Sequence, residues 1–215
     1  MPTSIYSHIP TFVEFLRETK PSSVLDIGLG NGKLGFIARE MLDIVFGGRH
    51  RPEDWKIRID GIEVFPDYIH EHQKAIYDEI HIGDAFEVLP RLLEYDMIFL
   101  GDVLEHFEKH RAWQLLDRCM EHTKHHLILN IPLGDAWEQG TMYGNPHERH
   151  RSTWRWSDFE PFVWQYKFFG EDPIAYGTFL IRREDYLHYR IEQHLRGPGW
   201  PPPNPGELID TQLIK

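Results

Sequence analysis

Short apolar runs alternate five times with segments of helical spacing along roughly the first 130 residues of this chain. The runs are SSVLDIG, KIRIDGIEV, EIHIG, YDMIFLGDV and HHLILNIP. Helical spacing is predicted over Lys33 to Phe46, over Asp67 to Tyr77, from the third run to about Leu93, and over Glu108 to His122. A lead-in helix is predicted over His8 to Lys20, ended by Pro21. The polar, turn-rich GGRHRPEDWK reads as a surface loop. Parallel strands need crossovers, and the crossover helices must pack back on the sheet. Right-handed crossovers gather the strand C-termini on one edge, where ligands bind in such sheets.

Beyond Pro132 the pattern changes. Gly134 to Ser157 is long, polar and rich in His, Arg and Trp. A connection of that length is usually functional. SDFEPFVW reads as a short helix capped by Ser157 or Asp158. YKFFGEDPIAYGTFLIRR reads as two strands joined by a turn at Glu171 to Pro173. The expectation is a Rossmann-like, doubly wound α/β domain over residues 1–195. Its mostly parallel sheet has seven strands, with an antiparallel last strand. A Pro/Gly-rich tail follows over 196–215, read as extended or disordered.

Composition narrows the partners. A net charge of −11 opposes a phosphate backbone, so nucleic acid is not expected as a partner. No run approaches the apolar length needed to span a bilayer, so no membrane association is expected either. The N-terminus lacks the basic and apolar regions of a secretory signal, and the lone Cys119 suits a reducing compartment. The expected location is the cytoplasm. Oligomeric state is left open. Aromatic residues make up 13% of the chain, and Trp154, Trp156, Phe159, Phe162 and Trp164 are expected in the core.

The most informative segment is VLDIGLGNGKLG. A strand ends near Asp26, and Gly28, Gly30 and Gly32 turn the chain into a helix. Small residues there let a ligand approach the backbone, and the helix N-terminus favours a negative group. Gly30, Gly32 and Gly35 also fit the dinucleotide fingerprint GxGxxG. Asp26 would oppose a pyrophosphate but favour an ammonium. Acidic residues also close the next three strands: Glu63, Asp84 and Asp102.

LDIGLGNG, GIEVF, IGDAF and FLGDVLEHF resemble, in order, the first four motifs of the class I S-adenosylmethionine-dependent methyltransferases, over roughly residues 20–135. DVLEHF is similar to the small-molecule subgroup that includes quinone- and sugar-modifying enzymes. The resemblance implies S-adenosylmethionine as cofactor and S-adenosylhomocysteine as product. It implies a cofactor site of Asp26, Gly28, Gly30, Gly32, Glu63, Val64, Asp84, Ala85, Gly101 and Asp102. The cofactor carboxylate would lie on the glycine turn, with Asp26 near the ammonium. Glu63 would take ribose hydroxyls, and Asp84 the adenine amino group. Asp102 would lie near the methionine amine or the reacting methyl. Glu63 comes later than in the family because of the GGRHRPEDWK insertion.

The implied reaction is methyl transfer to a small polar or anionic acceptor, an oxygen first. His106, His147 and His150 are the catalytic or acceptor-side candidates, since an imidazole suits a general base. Arg149, Arg151 and Arg155 make the loop after the fifth strand locally basic. It resembles an acceptor-side lid, with arginine as a clamp on an anion. Asp84 and Asp102 also read as helix caps. His106 and His110 are four residues apart, but no third ligand is apparent and no metal is expected. HERH is not HExxH, so it is no zinc-protease signature. A nicotinamide-dependent oxidoreductase and a non-catalytic module with the same fold are the alternative readings.

Overall fold

The computed structural model describes residues 5–171 and 174–196. The expected tail lies outside the described residues apart from Arg196, as do Asp172 and Pro173 of the expected turn. In chain order the helices and strands are α1 (Ile9–Thr19), β1 (Ser23–Ile27), α2 (Lys33–Arg39), β2 (Arg58–Glu63), α3 (Glu71–Lys74), β3 (Glu79–Ile82), α4 (Ala85–Val88), β4 (Tyr95–Gly101), α5 (Lys109–His122), β5 (Thr123–Leu133), β6 (Gln165–Phe169), β7 (Ala175–Arg182) and α6 (Arg183–Arg196). The strands form one sheet in the order β3-β2-β1-β4-β5-β7-β6. The first five strands are parallel, and β7 runs antiparallel between β5 and β6. This is the expected Rossmann-like sheet, including its antiparallel last strand.

Alternation along the central strands builds a core on each face of the sheet. Leu25, Ile27, Ile98, Leu100, Leu127 and Leu129 point into one cluster. There they meet Leu115, Leu116 and Met120 of α5, and also Trp154, Phe159 and Phe162. Val24, Met97, Phe99 and Ile128 point into the other, against Phe12, Phe15 and Leu16 of α1. Successive strand side chains face opposite ways, so a strand buried on both faces must be apolar throughout. β4 fits, since Tyr95 and Met97 to Leu100 are all buried. Trp154, Phe159 and Phe162 are core residues as expected, whereas Trp164 is 38% exposed.

Several helix expectations need correction. The helix expected over Lys33 to Phe46 stays α-helical only to Arg39, then widens into a π-helix over Glu40–Val45. The buried carboxylate of Asp43 is the anchor there. It accepts from Arg39, Arg49 and the Lys56 backbone N–H. Those bonds tie both ends of the GGRHRPEDWK loop to the π-helix. The helix expected over Asp67 to Tyr77 splits into a 3₁₀ turn at Pro66–Tyr68 and the short α3, with His70 extended between them. The Gln73 side chain causes the break by turning inward. Its Oε1 accepts from His70 N, and its Nε2 donates to the carbonyls of Gly30 and Tyr68. The helix expected in SDFEPFVW is a 3₁₀ turn over Trp156–Asp158 that starts at Arg155, not Ser157. Asp158 reaches back to accept from Arg155 N. The sequence reading did not anticipate α6. Tyr186 of α6 is buried against Phe162 of the core.

Candidate functional site

A cavity of about 350 Å³ opens at the C-terminal ends of β1 and β4. The chain order of strands reverses between these two, which is where such sheets leave a crevice. All but one of the residues expected from sequence line it. They are Asp26, Gly28, Gly30, Glu63, Val64, Asp84, Ala85, Gly101, Asp102, His106, His147 and His150. Gly32 does not. It enters α2 with φ of +79°, and a Cβ there would lie 3.1 Å from Gln73 and 3.2 Å from Tyr77. Gly32 therefore shapes the turn from behind.

The turn itself requires its glycines. Gly28 has φ of +71°, and a Cβ on it would lie 2.7 Å from Val103 Cγ2. A side chain there is opposed both by the backbone conformation and by space. Glu63 holds the turn in place, since its Oε2 accepts from Gly30 N at 3.0 Å and its Oε1 from Phe65 N at 2.9 Å. Burial raises the Glu63 pKa against these backbone bonds. Asp26 is buried beneath the turn, and the Tyr77 hydroxyl donates to it at 2.6 Å. Burial pushes the Asp26 carboxyl up to about 6, a rise that the Tyr77 bond moderates.

Asp84 caps α4, accepting from Phe86 N at 2.8 Å, and lines the cavity at the same time. Asp102 does not cap a helix. It sits just past β4 with φ of +55°, a strained conformation for a residue with a side chain. Its N–H donates to Asn130 O, and its Oδ1 accepts from Tyr176 Oη at 2.7 Å. The lead-in segment closes behind that tyrosine. His8 is fully buried and stacks on Tyr176 at 5.8 Å, while Tyr6 is 81% exposed and turned away. Burial lowers the His8 pKa to about 4, so the ring is neutral.

The long connection after β5 is sewn onto the sheet edge. Gly134 pairs with Trp154 across the base of the loop, and Arg151 N donates to the carbonyl of Glu105 at 2.7 Å. Glu148, unremarked in the sequence, is its buried hub. It accepts from Tyr68 Oη at 3.0 Å and from Asn145 Nδ2 at 3.3 Å, joining the loop to the turn after β2. Of the three arginines read as a clamp, only Arg151 lines the cavity. Arg155 pairs instead with exposed Asp135.

The histidines separate by environment. His147 is exposed at the cavity rim. His106 and His150 meet edge to face at 5.1 Å. Burial, then the neighbouring His150, lowers the His106 pKa to about 4. Sequence paired His106 with His110 and found no third ligand. The fold leaves His110 exposed on α5 and gathers Glu105, His106 and His150 instead, with one ligand atom of each within 4.8 Å of the others. Glu105 stands in the quoted DVLEHF but was passed over. Its place directly before His106 in that motif was the available signal.

Neither a protein-family model nor a curated protein matches the sequence. Among the described residues no helix is long and apolar enough to cross a membrane. Solved structures do match the fold. TehB from Haemophilus influenzae aligns with a TM-score of 0.59 at 14% identity, over 84% of this chain and 63% of that one. The chain thus spans less than two thirds of TehB. Magnesium protoporphyrin IX methyltransferase from Synechocystis PCC 6803, solved with bound SAH, aligns at 0.57 and 15% identity, covering 85% and 90%. A SAM-dependent methyltransferase from Archaeoglobus fulgidus aligns at 0.54 and 16% identity, covering 81% and 94%. The chain therefore shares its Rossmann-like fold with these three structures, two of which are methyltransferases.

Proposed function

We propose that this chain is an S-adenosylmethionine-dependent methyltransferase acting on a small-molecule acceptor, with an acceptor oxygen as the first choice. The charge of the cavity carries the reading. Asp26, Glu63, Glu105 and Glu148 are buried in its wall, while Lys33 and Arg151 are its lysine and arginine. A buried carboxylate favours a positive partner. An amino-acid ammonium and a sulfonium supply one, whereas a dinucleotide pyrophosphate meets repulsion. The glycine turn supports the same reading, because Gly28 and Gly30 present bare backbone to the cavity.

Asp26, Gly28, Gly30 and Asp102 would hold the amino-acid end. Glu63 and Val64 would hold the ribose, and Asp84 and Ala85 the base, with Gly101 giving clearance beneath. When bound, the cofactor supplies an electrophilic methyl group. The protein's part is alignment of the acceptor and exclusion of water. Glu63 keeps the turn in register, and Asp102 is pre-set by Tyr176. A pKa of about 4 makes His106 neutral near pH 7 but a weak base. His150 Nδ1 lies 2.7 Å from the carbonyl of Trp137, which leaves Nε2 as the acceptor nitrogen of that ring, free to meet the acceptor's side of the cavity as a base or as a ligand. His147 would meet the acceptor at the rim. The single cysteine, Cys119, is buried, which suits a reducing cytoplasm.

Calorimetry with S-adenosylmethionine, S-adenosylhomocysteine and NAD is the test. Binding of the first two, lost by at least about tenfold in Gly28→Val with its fold intact, is the expected result. Uptake of NAD alone by well-folded protein would overturn the proposal.

A further inference from the structure

The Glu105 carboxylate is the least satisfied acidic group in the cavity wall. It is 1% exposed, and its Oε2 has no hydrogen-bond partner among the described residues. The nearby carboxylates of Asp102 and Glu148 add repulsion to the cost of burial. A buried anion in this position is stable only when protonated or when matched by a cation. No lysine or arginine donates to it among the described residues. Two imidazoles lie beside it instead.

Both rings are held from behind. His150 Nδ1 lies 2.7 Å from the Trp137 carbonyl, and His106 Nδ1 lies 3.3 Å from the Arg149 carbonyl. A carbonyl only accepts, so the short contact puts the His150 hydrogen on Nδ1 and keeps its Nε2 lone pair, while the carbonyls of Arg149, Asp102 and Glu148 hold the His106 ring in place. Backbone carbonyls orient metal-binding histidines in this way and fix their tautomer. All three residues line the cavity, so a bound ion would keep open positions facing it.

We propose that Glu105, His106 and His150 bind a divalent transition-metal cation that takes an oxygen of the acceptor. Two imidazoles and one carboxylate suit zinc, cobalt or manganese better than calcium or magnesium, which prefer all-oxygen sites. The ion neutralises Glu105 where no side chain does. It also lowers the pKa of a hydroxyl bound to it. The hydroxyl proton then passes to solvent, the oxygen lone pair forms the bond to the methyl carbon, and the carbon–sulfur electron pair stays on sulfur. The acceptor class is accordingly an alcohol or phenol, best with a second oxygen in chelating position. The ion's use on an acceptor rests on the methyl-transfer reading, but the ion site does not.

A second cluster, Asp60, Glu79 and His81, meets the same distance criterion. It carries no proposal, because Arg58 already neutralises Asp60 at 2.6 Å.

The test uses chelator-treated protein titrated with cobalt(II) alone, followed by visible absorption, and with zinc(II) alone by calorimetry. One equivalent should bind. Glu105→Gln and His150→Gln should each weaken uptake by at least about tenfold. His110→Gln, on the exposed face of α5, should leave it unchanged. Circular dichroism establishes that each variant is folded, and His150→Gln serves if Glu105→Gln is not. No uptake by the wild-type protein, or equal uptake by both folded variants, would sink the proposal. No nucleoside is present, so a negative result leaves the cofactor reading standing. Calorimetry with S-adenosylhomocysteine on the same treated protein tests that reading separately.

Discussion

Two buried charged clusters in this molecule follow opposite rules. Around Arg39 the charges are closed on themselves. Its guanidinium is 2% exposed and donates to Asp43 and Asp78 and to the carbonyls of Ile57 and Ile76. Burial raises the pKa of Asp43, but bonds from Lys56 N, Arg39 and Arg49 outweigh it and hold the carboxyl below its usual range. Around Glu105 the carboxylates face one another, and burial raises Glu105, Glu63 and Glu148 alike. The first cluster completes the structure from within. The second has the charge pattern of a site that is completed from outside.

The largest expected effect tests that difference directly. Arg39→Met should cost about 3–5 kcal/mol, because it removes one of the two guanidinium partners of buried Asp43 and leaves the carbonyls of Ile57 and Ile76 without their side-chain donor. Glu105→Gln should change stability by less than about 1 kcal/mol, or raise it, because it removes a charge that nothing in the fold matches. Urea unfolding of both variants measures the pair of values. Equal losses would abolish the distinction between the clusters.

The same contrast explains what the sequence disclosed. The parallel sheet was legible because alternation of apolar runs has few topological solutions, and VLDIGLGNGKLG placed the cavity at the right strand end. Asp26, Glu63 and Asp84 were legible because carboxylates at strand ends are local facts. Gly32 falls outside the cavity lining because its neighbours, Gln73 and Tyr77, come from a segment more than forty residues away and back the turn from behind. The helix over Asp67 to Tyr77 failed for a related reason: Gln73 bonds to Gly30 and the backbone gives way, which no periodicity reveals. Glu148 and the grouping of Glu105 with His150 depend on how the long loop is pinned by Trp154 and Arg151. α6 was missed because Tyr186 and Tyr189 are its main core-facing residues in an otherwise polar stretch.

An effect of intermediate size lies in pH. The folded pKa of Asp26 is raised from 3.8 to about 6. A raised carboxyl gives stability that is fully present below the unfolded pKa and is lost as pH rises through 6. Two pK units correspond to roughly 3 kcal/mol as an upper figure. Asp43 is shifted the other way, so its contribution is present above the ordinary carboxylate range and lost as pH falls. Asp26→Asn should therefore gain on the wild-type protein between pH 4 and pH 7, while the deficit of Asp43→Asn should stay nearly constant over that interval and shrink only below it. Denaturation curves at the two pH values give both slopes. A gap between Asp26→Asn and wild type that stays constant with pH would mean that the cavity charge does not act as described.

The smallest effect separates burial from ion pairing as such. Arg155 and Asp135 approach to 2.5 Å, as close as any pair in the Arg39 cluster, but their side chains are 66% and 63% exposed. Water screens such a pair, and holding two long side chains together costs entropy. Arg155→Ala should lower stability by less than about 0.5 kcal/mol, and salt should not widen the difference from wild type. Its position at the base of the acceptor-side loop, outside the cavity lining, predicts unchanged affinity for S-adenosylhomocysteine. A loss near that of Arg39→Met would show that distance, not desolvation, sets the strength of charge pairs in this protein. A loss of ligand affinity without a loss of stability would instead make Arg155 part of the site, and the boundary drawn here between structural and ligand-directed charge would have to move outward to include it.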